Sequence, residues 1–106
     1  MTAIDRVTAH FSKIGTRKIV VPEWEGLEIH YTPITVGERK AIYARGEDAE
    51  SIMVNTIIEK AKDADGKPLF VLEDSARLFQ KADATIIQRI ASEMFVTAKS
   101  KDLGNS

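Results

Sequence analysis

Between Thr2 and Ile14 the apolar residues Ile4, Val7, Phe11 and Ile14 fall three and four apart, along one stripe of a helix. Thr2 stands where an N-cap belongs, and Gly15 where the helix should close. About three turns make a marginal helix in isolation, so the stripe calls for something to pack on. The period then changes. Ile19 and Val21 alternate with Lys18 and Val20, and Leu27, Ile29 and Tyr31 alternate with Glu28, His30 and Thr32. Alternation of this kind marks strands with one buried face. Pro22 stops one strand from donating hydrogen bonds, and Gly26 supplies a turn conformation, so residues 16–34 predict a hairpin. Two strands alone are marginal, and helices must cover them.

Thr35-Val36-Gly37-Glu38 is a capping-box pattern and predicts a helix from Val36 to about Arg45, ended by Gly46. Asp48 or Glu50 opens the next helix, to about Lys62, with a broad apolar face of Ile52, Met53, Val54, Ile57, Ile58 and Ala61. The cluster from Asp63 to Pro68 is a turn. Leu69 to Leu72 reads as a short extended link, and Glu73-Asp74-Ser75 starts a short helix to about Lys81. Asp83 can cap the last helix, Ala84 to about Lys99. Ile86, Ile87, Ile90, Ala91, Met94, Phe95 and Ala98 share one face of it. The whole pattern predicts an α+β fold, mainly helical, with four to five helices and one N-terminal β-hairpin. Residues 1–99 should make a single domain (N-terminal helix 1–15, hairpin 16–34, helical region 35–99), and the polar residues 100–106 a flexible C-terminal tail.

Composition narrows the functional classes. A chain of 106 residues supports one core. Fifteen basic residues nearly cancel sixteen acidic ones, which argues against binding nucleic acid by bulk electrostatics. Cysteine is absent, so disulfides, thiolate catalysis and cysteine zinc sites are excluded. No apolar run reaches the roughly 18 residues of a membrane span. The polar residues Asp5, His10 and Lys13 spread through the N-terminus do not suit a signal peptide, so a soluble intracellular protein is expected.

Reactive chemistry is sparse. His10 and His30 are the only histidines, and neither has the ligand spacing of a metal site. Asp63, Asp65 and Gly66 resemble the start of a calcium loop, but the glycine falls fourth where the loop needs it sixth, so an Asp-Gly turn explains them better. No phosphate-binding loop or nucleophile elbow occurs. The pairs Glu47-Asp48 and Glu73-Asp74 suit helix starts. The basic pairs Arg17-Lys18 and Arg39-Lys40 sit among glutamates. No enzymatic activity, cofactor or metal is expected.

Association is the better-supported class. Trp24, the single tryptophan, lies at the hairpin tip between Glu23 and Glu25. Its ring either folds over the core edge or anchors a partner, and the acidic neighbours resist full burial. The apolar face of the last helix is wide enough to serve both a core and a subunit contact, through Ile87, Met94 and Phe95. Glu23, Trp24, Glu25, Ile87, Met94 and Phe95 are therefore the candidate partner-binding residues.

The run Ile19-Val20-Val21-Pro22-Glu23-Trp24-Glu25-Gly26-Leu27-Glu28-Ile29, continued by Tyr31-Thr32-Pro33-Ile34-Thr35-Val36-Gly37-Glu38-Arg39, resembles the tail assembly chaperones of long-tailed bacteriophages, of the lambda-like and HK97-like siphophage or prophage type. Those carry a "VPEWG" hairpin and an "LTxGER" helix start. Asp65-Gly66-Lys67-Pro68-Leu69-Phe70 resembles their "DexGkplF" turn. Glu25 separates Trp24 from Gly26 where the family often has glycine directly, and Phe95-Val96-Thr97 stands where "LN" often ends the last helix. The resemblance implies a non-enzymatic protein that binds the tape measure protein, keeps it soluble and helps recruit tail tube subunits. It also implies self-association into oligomers, no nucleic-acid or membrane partner, action in the host bacterial cytoplasm and absence from the mature virion. The alternative is another phage or prophage adaptor, such as a head–tail joining protein.

Overall fold

The computed structural model describes the backbone of residues 2–103 and side chains as far as Phe95. It is an α+β fold dominated by five helices with one hairpin. Helix α1 is Ala3–Ile14, strand β1 Arg17–Val21, strand β2 Leu27–Tyr31, helix α2 Val36–Ala44 and helix α3 Ala49–Lys60. A 3₁₀ turn at Leu72–Asp74 leads into helix α4, Ser75–Lys81, and helix α5 follows at Ala84–Leu103.

Local chemistry sets the helix starts. Thr2 caps α1, with reciprocal bonds of 3.2 Å to and from Asp5. Thr35 and Glu38 do the same for α2, at 3.1 and 3.0 Å. The Asp48 side chain accepts from the Ser51 N–H at 3.0 Å to start α3, and Asp83 accepts from the Thr85 N–H at 2.8 Å to start α5. Each satisfies a backbone donor that the first turn leaves unpaired. Asp48 and not Glu50 is therefore the cap of α3.

The hairpin is antiparallel, with Ile19 opposite Ile29 and Val21 opposite Leu27. Val21, Ile29 and Tyr31 are buried on one face, while Val20 on the other is 48% exposed. A 3₁₀ turn at Pro22–Trp24 builds the tip. Glu25 and Gly26 follow it with φ of 57° and 75°, so the chain reverses through two left-handed residues rather than through Gly26 alone.

Helix α3 is central. It packs against α2, α4 and α5, and Val54, Ile57 and Ile58 join Ile86, Ile87, Ile90 and Met94 of α5 and the buried face of the hairpin in one core. Polar groups on α3 are buried too, and each has a partner. Asn55 donates to the Ile42 carbonyl of α2 at 3.3 Å, and Thr56 donates to the Ile52 carbonyl at 2.6 Å. Lys60, only 2% exposed, donates from Nζ to Glu38 Oε1 at 2.7 Å, Thr32 Oγ1 at 3.0 Å and the Pro33 carbonyl at 3.4 Å. All three ammonium protons are used, which makes burial of the charge tolerable.

Two helix ends differ from expectation. Helix α3 stops at Lys60 rather than Lys62, because Lys62 exchanges backbone hydrogen bonds of 2.8 Å with His30 on the open edge of β2. Helix α5 continues to Leu103, past the expected end at Lys99. Of the expected flexible tail, residues 104–106 lie outside the described residues, as does the side chain of Ala98. No helix among the described residues is long and apolar enough to cross a membrane.

Candidate docking cleft at the hairpin tip

The 3₁₀ turn carries Trp24 back toward the body of the molecule. The indole is half-buried and packs against the core, as do Leu27, Leu69 and Phe70. These four residues, with Leu78 and Ala82, form the apolar walls of a cleft of about 450 Å³. Its volume is in the range of ligand and peptide sites. Asp74, Arg77 and Lys81 complete the lining. Trp24 is thus both a lid on the core edge and one wall of an open apolar recess. The hairpin tip meets here a stretch more than forty residues on in sequence, the link after the Asp63 turn and the α4 helix that follows it.

The tip is tethered by an ion pair with α5. Arg89 donates to Glu23 through both guanidinium NH₂ groups, at 2.7 and 3.0 Å. Hydrogen bonding from Arg89, helped by the backbone N–H of Glu23 itself, lowers the Glu23 carboxyl to about 2. The same pair raises the pKa of Arg89. Deeper in, burial pushes the Glu38 carboxyl up, but hydrogen bonds from Lys60 and from the Thr35 N–H outweigh it and leave the pKa lowered.

The six candidate residues do not converge on one surface. Glu23 is committed to Arg89, Trp24 walls the cleft, and Glu25 is exposed in its left-handed conformation. Ile87 and Met94 are 4% and 3% exposed, because the face of α5 that carries them packs into one core with α3 and the hairpin. Phe95, 38% exposed, lies at the edge of that face. Leu69, Phe70, Arg77 and Lys81 were missed. For Leu69 and Phe70 the sequence signals were the turn motif that ends on them and the apolar run Leu69 to Leu72, too short and too near a turn to serve as a strand of the core.

Other sequence candidates have structural explanations. Asp63 accepts from the backbone N–H groups of Asp65 and Lys67 at 2.8 and 2.9 Å, a side-chain-stabilised turn that also lowers its pKa, chiefly through the Lys67 bond. His10 is exposed on α1, and His30 lies 3.6 Å from Glu28. Among the described residues no three His, Asp or Glu side chains cluster as a metal site would need.

No family model matches the chain, and no curated protein matches it in sequence. Among solved structures it is similar to the bacteriophage HK97 tail assembly chaperone, with a TM-score of 0.56 and 14% identity over 88% of this chain and 93% of that one. An identity that low speaks for the fold rather than for the activity. The chain has a phage tail assembly chaperone-like fold.

Proposed function

We propose that this chain is a tail assembly chaperone of a long-tailed phage or prophage: it binds the tape measure protein, keeps it soluble and helps recruit tail tube subunits. The observation that carries this reading is the shared fold, extending over most of both chains, together with the hairpin and turn motifs of the sequence. The role is non-enzymatic, and its place is the host bacterial cytoplasm, with the protein leaving before the virion matures.

Two surfaces support such a role. The cleft at Trp24 offers an apolar recess on a folded body. Helix α1 offers an apolar stripe with Ile4 66% and Val7 62% exposed. A protein that holds a long helical partner in many copies and then releases it needs modest, separable contacts rather than one large core-like interface. Self-association along the partner belongs to the same reading.

Co-expression with a phage tape measure protein tests it. The expected outcome is a soluble complex that co-purifies, with the partner aggregating when expressed alone. A partner that stays insoluble with the chain present in excess, or that is soluble without it, overturns the reading.

A further inference from the structure

We propose that the cleft between the hairpin tip and α4 takes an amphipathic helix whose apolar stripe is flanked by carboxylates. This rests on the chaperone reading and names the chemistry of the segment held.

The walls set the first requirement. Trp24, Leu27, Leu69 and Phe70 present apolar surface that is only half covered by the core beneath. A helix is roughly 10–12 Å across with its side chains. A recess of about 450 Å³ therefore admits a few side chains of a stripe rather than a whole helix. The polar flanks of such a helix must stay at the rim.

The rim sets the second requirement. Arg77 and Lys81 stand one turn apart on α4, both exposed, and neither makes an ion pair among the described residues. The carboxylates nearby are already engaged. Asp74 accepts from the Val71 N–H at 2.9 Å, and Glu23 is held by Arg89. Two cations against the single carboxylate of Asp74 therefore leave the rim of this apolar recess net positive. Charge complementarity at such an edge governs partner choice. It also counts against α1 of a second copy as the occupant. Arg6 and Lys13 against Asp5 leave that helix cationic, so its flanks meet like charge at this rim.

Trp24 is the only tryptophan, so its emission reports occupancy of the cleft directly. The probes are two synthetic tryptophan-free amphipathic helices of about 18 residues, long enough to be helical when bound. They are identical in a Leu/Phe stripe and differ in carrying Glu or Lys at the flanking positions. The Glu peptide should shift Trp24 emission saturably and bind about tenfold more tightly than the Lys peptide, a ratio that two partly exposed charge pairs can supply. The preference should collapse in about 1 M salt, and it should reverse in the R77E/K81E variant. Both substituted residues are exposed, and a melting curve checks that the variant folds; R77Q/K81Q, which should abolish the preference without reversing it, replaces it otherwise.

Equal affinity for the two peptides overturns the charge assignment. A tighter Lys peptide, or no response to either, overturns the proposal outright. An emission shift that depends on protein concentration alone shows that a second copy covers the cleft, and overturns it as well. Co-purification of the long partner together with silence from both peptides leaves the chaperone reading standing and removes the cleft from it.

Discussion

Helices α1 and α5 both repeat apolar residues at three and four, yet α5 buries Ile86, Ile87, Ile90, Ala91 and Met94 while α1 buries nothing. The two stripes differ in width. Ile4, Val7, Phe11 and Ile14 follow a strict three-four-three spacing, one narrow seam. On α5 the pairs Ile86-Ile87 and Ile90-Ala91 widen the face to meet α3 on one side and the hairpin on the other. A broad face suits a core and a narrow seam suits one neighbouring helix. Periodicity finds an apolar face in both cases. Width, and what the chain can bring against it, decides whether that face is filled. α1 is joined to β1 by Gly15 and Thr16 alone, and only Phe11 and Ile14, next to that joint, are half-buried.

The same substitution at the two stripes should break this comparison or confirm it. Ile90 is fully buried, and Ile90→Asp places a carboxylate in the core with no cation to meet it, at a cost of roughly 3–5 kcal/mol. Val7 is 62% exposed, and Val7→Asp should change stability by less than about 0.5 kcal/mol. Chemical denaturation of both variants checks this. Comparable losses at the two positions would mean that α1 is integrated into the fold after all.

Trp24 comes next in size. A half-buried indole that packs on the core yet walls an open cleft should cost about 1–3 kcal/mol as Trp24→Ala, less than removing a fully buried aromatic. A change near zero would make the ring purely a partner anchor. A loss nearer 5 kcal/mol would make it purely a lid.

How much of this was legible follows from how local each cause is. The capping boxes at Thr2 and Thr35, the period-two hairpin and the core role of Ile90 are written within a few residues of where they act. Lys60 is different. Its burial depends on Glu38, 22 residues away, and on Thr32 and Pro33, so its place on α3 reads as an ordinary solvated lysine. Lys62 left its helix for a bridge to His30 that no helical period foretells. Ile87 and Met94 stand on a wide stripe that looks like surplus until α3 and the hairpin are placed against it. The cleft is the extreme case, since its walls come from segments that are unremarkable until they meet.

Two matched caps sharpen the contrast on a finer scale. Thr2 and Thr35 make the same reciprocal bonds, with Asp5 and Glu38. Helix α2 packs on α3 and buries Ile42, so Thr35→Ala should lower global stability by about 1 kcal/mol. Thr2→Ala should fray α1 while leaving the global transition within about 0.3 kcal/mol, because local opening there need not involve the core. Hydrogen exchange of the α1 amides, faster in Thr2→Ala with the α3 amides unchanged, separates local from global loss.

The smallest effect concerns the one ion pair that ties the hairpin tip to α5, a tether with no counterpart at α1 in the described structure. Hydrogen bonds from Arg89 hold the Glu23 carboxyl at about 2, below its ordinary 4.5. A carboxyl whose pKa is depressed on folding stabilises the native state above its unfolded pKa and loses that contribution as pH falls through the folded value. The contribution of Glu23 is thus complete above about pH 4.5 and fades toward pH 2. Both side chains are close to half exposed, so water and salt screen the pair and its effect on stability stays small. Melting curves of wild type and Glu23→Gln should differ slightly at neutral pH and converge as pH approaches 2. Arg89→Gln should show the same convergence, and the double variant should add little to either single change. A gap that persists unchanged at low pH would show that Glu23 acts through packing of the tip rather than through its charge, and the tether would then be steric.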